Sequence, residues 1–229
     1  MVSKRYKGLL KSDNETGSKS IIDLLPIIKK NSTAKFDESI DLSFQINNKQ
    51  KKGEINIRTV VNMPSGTGKK VKVAVLCDEA KKASAEKAGA DLVGAEDLIE
   101  KIKAGQLNFE KLICTPKMMI GLSKLGKILG PKGLMPNPKL GTVTDDIETA
   151  IKNAKAGQVE IKNDKDGNIG VSIGKKSFAD EKILLNFKAI IETLEKEKGN
   201  NSFKGEMIKN VYLTSTMGTS YKLKLEKNF

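Results

Sequence analysis

Two short segments carry the side-chain types that proteins use to contact RNA. The first, residues 33–39, places Phe36 next to Lys35, with Thr33 and Ser39 at its two ends. An aromatic ring beside hydroxyl groups can pack against a base or ribose while a lysine attracts phosphate. A phenylalanine buried at a corner between a helix and a strand explains the same residues, and the sequence alone favours that second interpretation.

The second segment, residues 214–220, contains five hydroxyl side chains, one methionine and one glycine. Hydroxyl groups bond phosphate oxygens or ribose 2′-OH groups, and glycine allows the backbone to approach a ligand closely. Ser215, Thr216, Met217 and Gly218 are therefore candidate RNA contacts. An ordinary surface loop that interrupts a strand explains the pattern equally well.

A third segment, residues 130–141, holds three of the six prolines and three glycines. Proline fixes φ and glycine opens conformations that other residues avoid, so this composition predicts an ordered loop and not a helix or strand. The loop carries Lys132 and Lys139 and no acidic residue. It should present positive charge on a fixed shape, as a large anionic partner requires.

Catalytic, nucleotide and metal sites are not expected. The segment 66–70 resembles a phosphate-binding loop, but Met63 replaces its first glycine and Lys70 replaces the hydroxyl residue after the lysine. The chain has no histidine, and Cys77 and Cys114 follow apolar strand-like runs, as buried thiols do. Paired acids at 145–146 and 164–166 suit a helix start and a turn. We therefore predict a protein that is not an enzyme and has no cofactor.

Charge indicates the class of partner. The 229-residue chain carries a formal charge of +13, which favours binding to a polyanion such as nucleic acid. Aromatic residues make up only 4%, too few for a stacking platform of many rings. We find no apolar run of the ~20 residues that span a bilayer and no secretory signal, so no membrane partner is expected.

Hydrophobic patterns divide the chain into a middle block and two ends. The middle alternates strands and helices, which predicts a small parallel sheet covered by helices. Its predicted strands are 71–76, 91–93 and 111–114, and its predicted helices are 79–89, 95–104 and 145–156.

The two ends show half-buried antiparallel strands and two amphipathic helices. The strands are predicted at 39–46, 54–61, 159–162, 169–173 and 221–225, with a hairpin turn at 164–167, and the helices at 20–30 and 180–197. We therefore predict a discontinuous α+β domain, residues 1–65 and 158–229, and an inserted Rossmann-like α/β domain, residues 66–157. Gly66, Gly68 and Gly157 lie in the predicted linkers and are candidate hinges.

Residues 129–139, Leu-Gly-Pro-Lys-Gly-Leu-Met-Pro-Asn-Pro-Lys, resemble the signature of the ribosomal protein L-one family. Segments 33–39, 64–69, 153–158, 163–165 and 216–218 also resemble family motifs in the same order. The resemblance implies the two-domain fold and a set of RNA-facing positions in the discontinuous domain. These are Thr33, Lys35, Phe36, Ser39, Lys165, Ser215, Thr216, Met217 and Gly218.

The resemblance further implies a structural protein of the large ribosomal subunit that binds large-subunit ribosomal RNA at the mobile stalk. Lys132 and Lys139 would face the exit-site transfer RNA and assist its release, and the chain would repress its own operon messenger RNA. The expected state is a monomer within the ribosome, in the cytoplasm or in an organelle of bacterial descent. Two rival hypotheses remain, a nucleotide-binding enzyme and a non-specific nucleic-acid packaging protein.

Four residues depart from the family pattern. Ser65 and Gly170 stand where relatives usually have histidine, and Thr59 stands where they have glycine. Pro26 lies in a segment that is helical in relatives, so a kink or a shifted helix start is expected there.

Overall fold

The computed structural model describes residues 3–12, 17–47, 57–105, 107–200 and 205–225. The chain divides into two compact units, unit 1 (Met1–Gly68 with Val159–Phe229) and unit 2 (Lys69–Gln158). The chain therefore passes between units after Gly68 and after Gln158, near the predicted domain limits at 65/66 and 157/158.

Helices and strands alternate along much of the described chain. In chain order they are α1 (Lys4–Ser12), α2 (Ile21–Asn31), β1 (Ser39–Ile46), β2 (Arg58–Asn62), β3 (Val73–Leu76), α3 (Glu79–Lys87), β4 (Leu92–Gly94), α4 (Glu96–Lys103), β5 (Lys111–Cys114), α5 (Met119–Ser123), α6 (Gly126–Leu129), a 3-10 turn (Pro138–Leu140), α7 (Ile147–Lys155), β6 (Gln158–Lys162), β7 (Asn168–Lys175), α8 (Asp180–Asn200), β8 (Ile208–Ser215) and β9 (Ser220–Leu223).

Unit 1 is built on a four-stranded antiparallel sheet with strand order β7-β1-β8-β9. Alternate residues of β1 point into the core, and Leu42 lies between Val171 of β7 and Leu213 of β8. Helices α2 and α8 contribute Leu24 and Phe187 to the same core. Because side chains alternate across a strand, the other face of the sheet carries polar residues.

Helix α2 begins where its capping residue predicts. The Ser20 hydroxyl accepts a hydrogen bond from the backbone N–H of Asp23 at 3.3 Å, and it donates to the Asp23 carboxylate at 2.7 Å. The helix runs on through Pro26 to Asn31, so its start is not displaced.

The predicted hairpin between strands 159–162 and 169–173 is wrong in its pairing. The turn forms, and Asn163 bridges Ile169 in antiparallel fashion. Beyond that bridge the strands separate, because β6 pairs with β2 in a two-stranded sheet while β7 pairs with β1. Turn chemistry is local and does not determine which strand becomes the neighbour.

Unit 2 is a three-stranded parallel sheet with strand order β4-β3-β5. Val73 and Val75 of β3 pack on one face with Ile151 of α7. Ala74 and Leu76 lie on the other face, packed with residues of α4, α5 and α6. The predicted fold class, an inserted parallel α/β block between α+β ends, is confirmed.

Sequence patterns missed strand β8 and the short helices α1, α5 and α6. The predicted strand 54–61 overlaps β2, and its residues 54–56 lie outside the described part of the chain. Both cysteines are buried, as predicted, and burial raises the pKa of the Cys114 thiol to about 11. Among the residues that the structure describes, no helix is long and apolar enough to cross a membrane. Within the same residues, no cluster of acidic or cysteine side chains is arranged to hold a metal ion.

Candidate RNA-binding surface

The two hydroxyl-rich segments meet at one end of the unit 1 sheet. Strand β1 begins at Ser39 and runs antiparallel to β8, which ends at Ser215. Beyond these ends, the Ser39 N–H donates to Thr216 Oγ1 at 2.9 Å, and the Thr216 N–H donates to the Ser39 carbonyl at 3.0 Å. Loop 32–38 and turn 216–219, far apart in sequence, therefore lie side by side.

A buried carboxylate joins loop 32–38 to turn 216–219. Glu38 is 0% exposed, and its two carboxylate oxygens accept the backbone N–H of Ala34 at 2.9 Å and that of Met217 at 3.0 Å. Burial opposes ionisation, but these two N–H donors, the Ser215 hydroxyl beside the carboxylate and the charge of Arg5 outweigh it. The pKa of Glu38 therefore lies below its ordinary value.

Arg5 joins the same two segments from α1. One guanidinium nitrogen donates to Thr33 Oγ1 at 3.0 Å, and the other donates to the Met217 carbonyl. The Met217 residue is thus held at its N–H by Glu38 and at its carbonyl by Arg5. Sequence reasoning missed both roles, because Glu38 looks like one more surface acid and Arg5 like part of a basic terminus.

The candidate RNA-contacting side chains of loop 32–38 and turn 216–219 face solvent. Phe36 is 53% exposed and Met217 48% exposed, and Thr33, Lys35 and Thr216 are exposed as well. The interpretation of Phe36 as a core residue is therefore wrong. Two exposed apolar side chains among hydroxyls and a lysine can pack on flat ribose and base surfaces.

Ser215 and Gly218 are placed differently from these exposed residues. Ser215 is buried, and the Gly218 N–H donates to its carbonyl at 3.1 Å. A Cβ atom on Gly218 would lie only 2.3 Å from Ser215 Oγ. Any side chain at residue 218 would displace the Ser215 hydroxyl, so these two residues shape the turn from beneath.

Lysines from the end of β7 border the surface. Lys175 Nζ donates to Ser39 Oγ at 3.1 Å, and Lys176 Nζ donates to the Ser32 carbonyl. The nearby acid Asp37 accepts hydrogen bonds from the N–H and hydroxyl of Ser177, at 3.1 and 2.8 Å. The sequence did not single out Lys175 as a site residue, although it lies at the end of a strand adjacent to β1.

Lys165 lies at the other end of the sheet. Its turn adjoins the end of β1, where the Ile46 N–H donates to the Gly167 carbonyl at 2.9 Å. Because each strand residue advances ~3.4 Å, the length of β1 places Lys165 roughly 24 Å from the Ser39 end. The structure therefore does not bring Lys165 together with Phe36 and Met217.

A polar sheet face connects these two ends. Asp41, Ser43 and Gln45 of β1 lie opposite Thr214, Tyr212 and Asn210 of β8, respectively. The Asn210 amide donates to Gln45 Oε1 at 2.8 Å. Alternation along β1, the pattern that predicts a half-buried strand there, also marks these residues as the solvent face.

In unit 2, the predicted loop 130–141 is held in part by the side chain of the residue that follows it. Thr142 Oγ1 accepts the Asn137 N–H at 2.8 Å and donates to the Asn137 carbonyl at 3.1 Å. Gly133 and Gly141 both have a φ of +68°. Lys132 and Lys139 are exposed on this loop.

The three candidate hinge glycines all have positive φ, 71° at Gly66, 72° at Gly68 and 101° at Gly157. Gly66 is held within unit 1, because buried Asn186 donates to its carbonyl at 2.9 Å and accepts the Ser65 N–H at 3.0 Å. Gly68 has no room for a side chain, since a Cβ would lie 2.9 Å from Lys175.

Comparisons with known proteins agree with one another over most of the chain. The family profile described as the Ribosomal protein L1p/L10e family matches residues 28–219. Large ribosomal subunit protein uL1 of Pelagibacter ubique is 67% identical over 227 residues, covering 99% of both chains. The uL1 protein of Prochlorococcus marinus (strain NATL1A) is 45% identical, covering 98% of this chain and 95% of that relative. That of Rickettsia africae is 48% identical, covering 86% and 82%.

Proposed function

This chain belongs to the ribosomal protein L1p/L10e family, and on that premise we propose that loop 32–38 and turn 216–219 bind large-subunit ribosomal RNA. The protein is a structural constituent of the large ribosomal subunit and not an enzyme. The two segments would anchor it to the RNA of the stalk.

One observation carries the proposal. Phe36 and Met217 are exposed on two adjacent segments whose backbones are tied to the same buried carboxylate. Exposed apolar side chains cost free energy in water, and here they stand among hydroxyl groups that can bond ribose and phosphate. The arrangement suits a folded RNA whose shape is read by ribose and backbone contacts.

Lysines supply the part of the binding that depends on salt. Lys35 is exposed beside Phe36, and Lys175 and Lys176 border the same end of the sheet. Each phosphate that a lysine neutralises releases condensed counterions. The logarithm of the binding constant therefore falls with the logarithm of the salt concentration, with a slope of about 0.7–0.9 per phosphate contact. Lys165 belongs to this proposal as a separate contact at the far end of the sheet.

A salt series of equilibrium binding tests the proposal. The probe is a transcribed fragment of large-subunit ribosomal RNA that includes the stalk, and the comparison is a random RNA duplex of equal length. We expect the stalk fragment to bind at least ~10³-fold more tightly. Equal affinity for both would support a packaging protein, and binding of nucleoside triphosphates in place of RNA would support a nucleotide-binding enzyme.

We extend the proposal to the exit-site transfer RNA. The exposed lysines Lys132 and Lys139 stand on a loop of fixed shape in unit 2, which suits a second RNA surface. A hinge near Gly68 and Gly157 would let unit 2 move with departing transfer RNA. Distances between dye labels on the two units, measured with and without transfer RNA on large subunits, test this motion, and unchanged distances would contradict it.

The same surface supports repression of the protein's own operon, since a messenger RNA that copies the ribosomal fold presents the same shape. A reporter translated behind the operon leader tests this, with Met217→Asp as the variant that should relieve repression. The ribosomal location that the relatives' names give implies a cytoplasmic protein, or one in an organelle of bacterial descent.

A further inference from the structure

We infer that Arg5 and Glu38 are positioning residues that together hold loop 32–38 and turn 216–219 in their RNA-binding arrangement before RNA arrives. This inference rests on the proposed function. It assigns a role to one buried and one half-buried side chain that are not themselves candidate RNA contacts. The four hydrogen bonds they make form one crosspiece between the two segments.

The geometry of the crosspiece is reciprocal. Glu38 accepts one N–H from each segment, at Ala34 and at Met217. Arg5 donates one N–H to each segment, at Thr33 Oγ1 and at the Met217 carbonyl. Neither segment has a helix or strand of its own. Lys176 and Ser177 also hold loop 32–38, and Ser39 also holds turn 216–219, so loss of the four bonds should loosen both segments without releasing them.

Residue chemistry explains why these two types occur here. An ionised carboxylate offers two acceptors and no donor, which suits two N–H groups that face the same point. Guanidinium offers several donors in a rigid plane, whereas a lysine acts as a single point charge. The chain contains only two arginines, Arg5 and Arg58, against a large excess of lysine. Arg5 occupies the position where one side chain must donate to both the Thr33 hydroxyl and the Met217 carbonyl.

Burial makes the crosspiece matter for binding. Glu38 is 0% exposed, so an unsatisfied donor left at its position would remain unpaired away from water. Ordering a loop on binding costs affinity, and a preordered loop avoids that cost. The crosspiece should therefore raise affinity without adding a phosphate contact.

Amide hydrogen exchange of the free protein is the first test. Glu38→Gln replaces one acceptor oxygen by an NH2 group, which faces an N–H and cannot accept it. We expect exchange to accelerate at least ~10-fold in both segments, 33–38 and 215–219, with the sheet core unchanged. Glu160→Gln, which alters an exposed ion pair with Arg58, is the matched control. Unchanged exchange in either segment overturns the inference without reference to RNA.

Binding of the stalk RNA fragment is the second test. We expect Glu38→Gln and Arg5→Ala each to weaken binding ~10-fold or more with an unchanged salt slope, because no phosphate contact is lost. Arg5→Lys should recover only part of the affinity, and Arg58→Ala should bind as the wild type does. A salt slope reduced by about 0.7–0.9 in Arg5→Ala would show a direct phosphate contact and overturn the positioning role of Arg5.

The double variant completes the test. If the two side chains act as one unit, Arg5→Ala with Glu38→Gln should lose much less than the product of the single losses. Additive losses would contradict the inference. Failure of the wild type to bind the RNA fragment would instead refute the proposed function, and the exchange result would still stand by itself.

Discussion

The two candidate RNA surfaces of this protein are ordered in opposite ways. In unit 1, loop 32–38 and turn 216–219 are held by contacts between residues up to 212 positions apart, such as Arg5 and Met217. In unit 2, the hydrogen bonds that shape loop 130–141 join residues no more than five positions apart, such as Asn137 with Thr142, while Leu134 and Met135 of the loop pack against the unit 2 core. The hydrogen bonds of the first surface therefore form only after the sheet has formed, whereas those of the second lie within or next to its own segment.

Glycine shows the same contrast. Gly218 is needed because a side chain would strike Ser215, and its φ is not positive. Gly141 is needed because its φ is +68°, while the space around it is open. The first glycine satisfies a tertiary constraint and the second a local one, so substitutions can separate the two kinds of order.

Met217→Asp should produce the largest effect. It places a carboxylate where RNA phosphate and ribose are proposed to lie, and we expect binding of the stalk RNA fragment to weaken ~100-fold, roughly 3 kcal/mol. Thermal unfolding should not change, because the side chain is 48% exposed and the residue is held through its backbone.

The control for this prediction is Leu185→Asp, which adds the same charge at a side chain of α8 that is 53% exposed. At moderate salt, long-range repulsion from this added charge should weaken RNA binding by a few-fold at most. If both variants weaken binding equally, net charge and not the position of Met217 determines affinity.

Gly218→Ala should come next, with a loss of about 1–3 kcal/mol in unfolding free energy and weaker RNA binding, because the added methyl group overlaps Ser215 Oγ. Chemical denaturation measures the first effect. Ser215→Ala removes the overlapping oxygen and leaves Ser215 Cβ at an ordinary 3.5 Å. In that background Gly218→Ala should cost under ~0.5 kcal/mol, and a full cost would show that crowding is not the reason for the glycine.

The pH dependence of stability probes the crosspiece. Because the folded pKa of Glu38 is lowered from its ordinary 4.5, its contribution is fully present above that value and is lost as pH falls through the lower folded pKa. The wild type should exceed Glu38→Gln by about 1–3 kcal/mol at neutral pH. Denaturation at a series of pH values should show the gap shrinking only below about pH 4.5. A gap that does not shrink at all as the pH falls from 4.5 to the point of acid unfolding would mean that ionisation of Glu38 does not stabilise the fold.

Sequence patterns predicted what is local and missed what is long-range. Alternation predicted β1 with its bounds at Ser39 and Ile46, and apolar runs with glycine stops predicted the parallel sheet of unit 2. The pairing of β1 with β8 could not be predicted, because nothing in residues 39–46 specifies a partner that ends at Ser215. The same limitation produced the wrong hairpin at β6 and β7.

The candidate site obeys the same rule. Side-chain types identify segments 33–39 and 214–220, but the adjacency of the two segments depends on strand pairing. For want of that information the residues alone favour a core position for Phe36, although the family resemblance implies that it faces RNA. The role of Glu38 follows only from its burial. In the sequence it lies between Asp37 and Ser39 and resembles an ordinary exposed acid of a polar loop. Lys165 matched a motif in the chain yet lies at the other end of the sheet.

The smallest expected effect decides whether the comparison between the two glycines is correct. At Gly141, alanine must adopt a positive φ and should cost about 1 kcal/mol, while asparagine tolerates that conformation better and should cost less. At Gly218 the order should reverse, because asparagine is larger than alanine and the constraint is space. Denaturation of the four single variants measures both orders. If alanine and asparagine rank in the same order of unfolding free energy at both positions, one physical cause explains both glycines. The distinction between a local and a tertiary requirement for glycine would then be wrong.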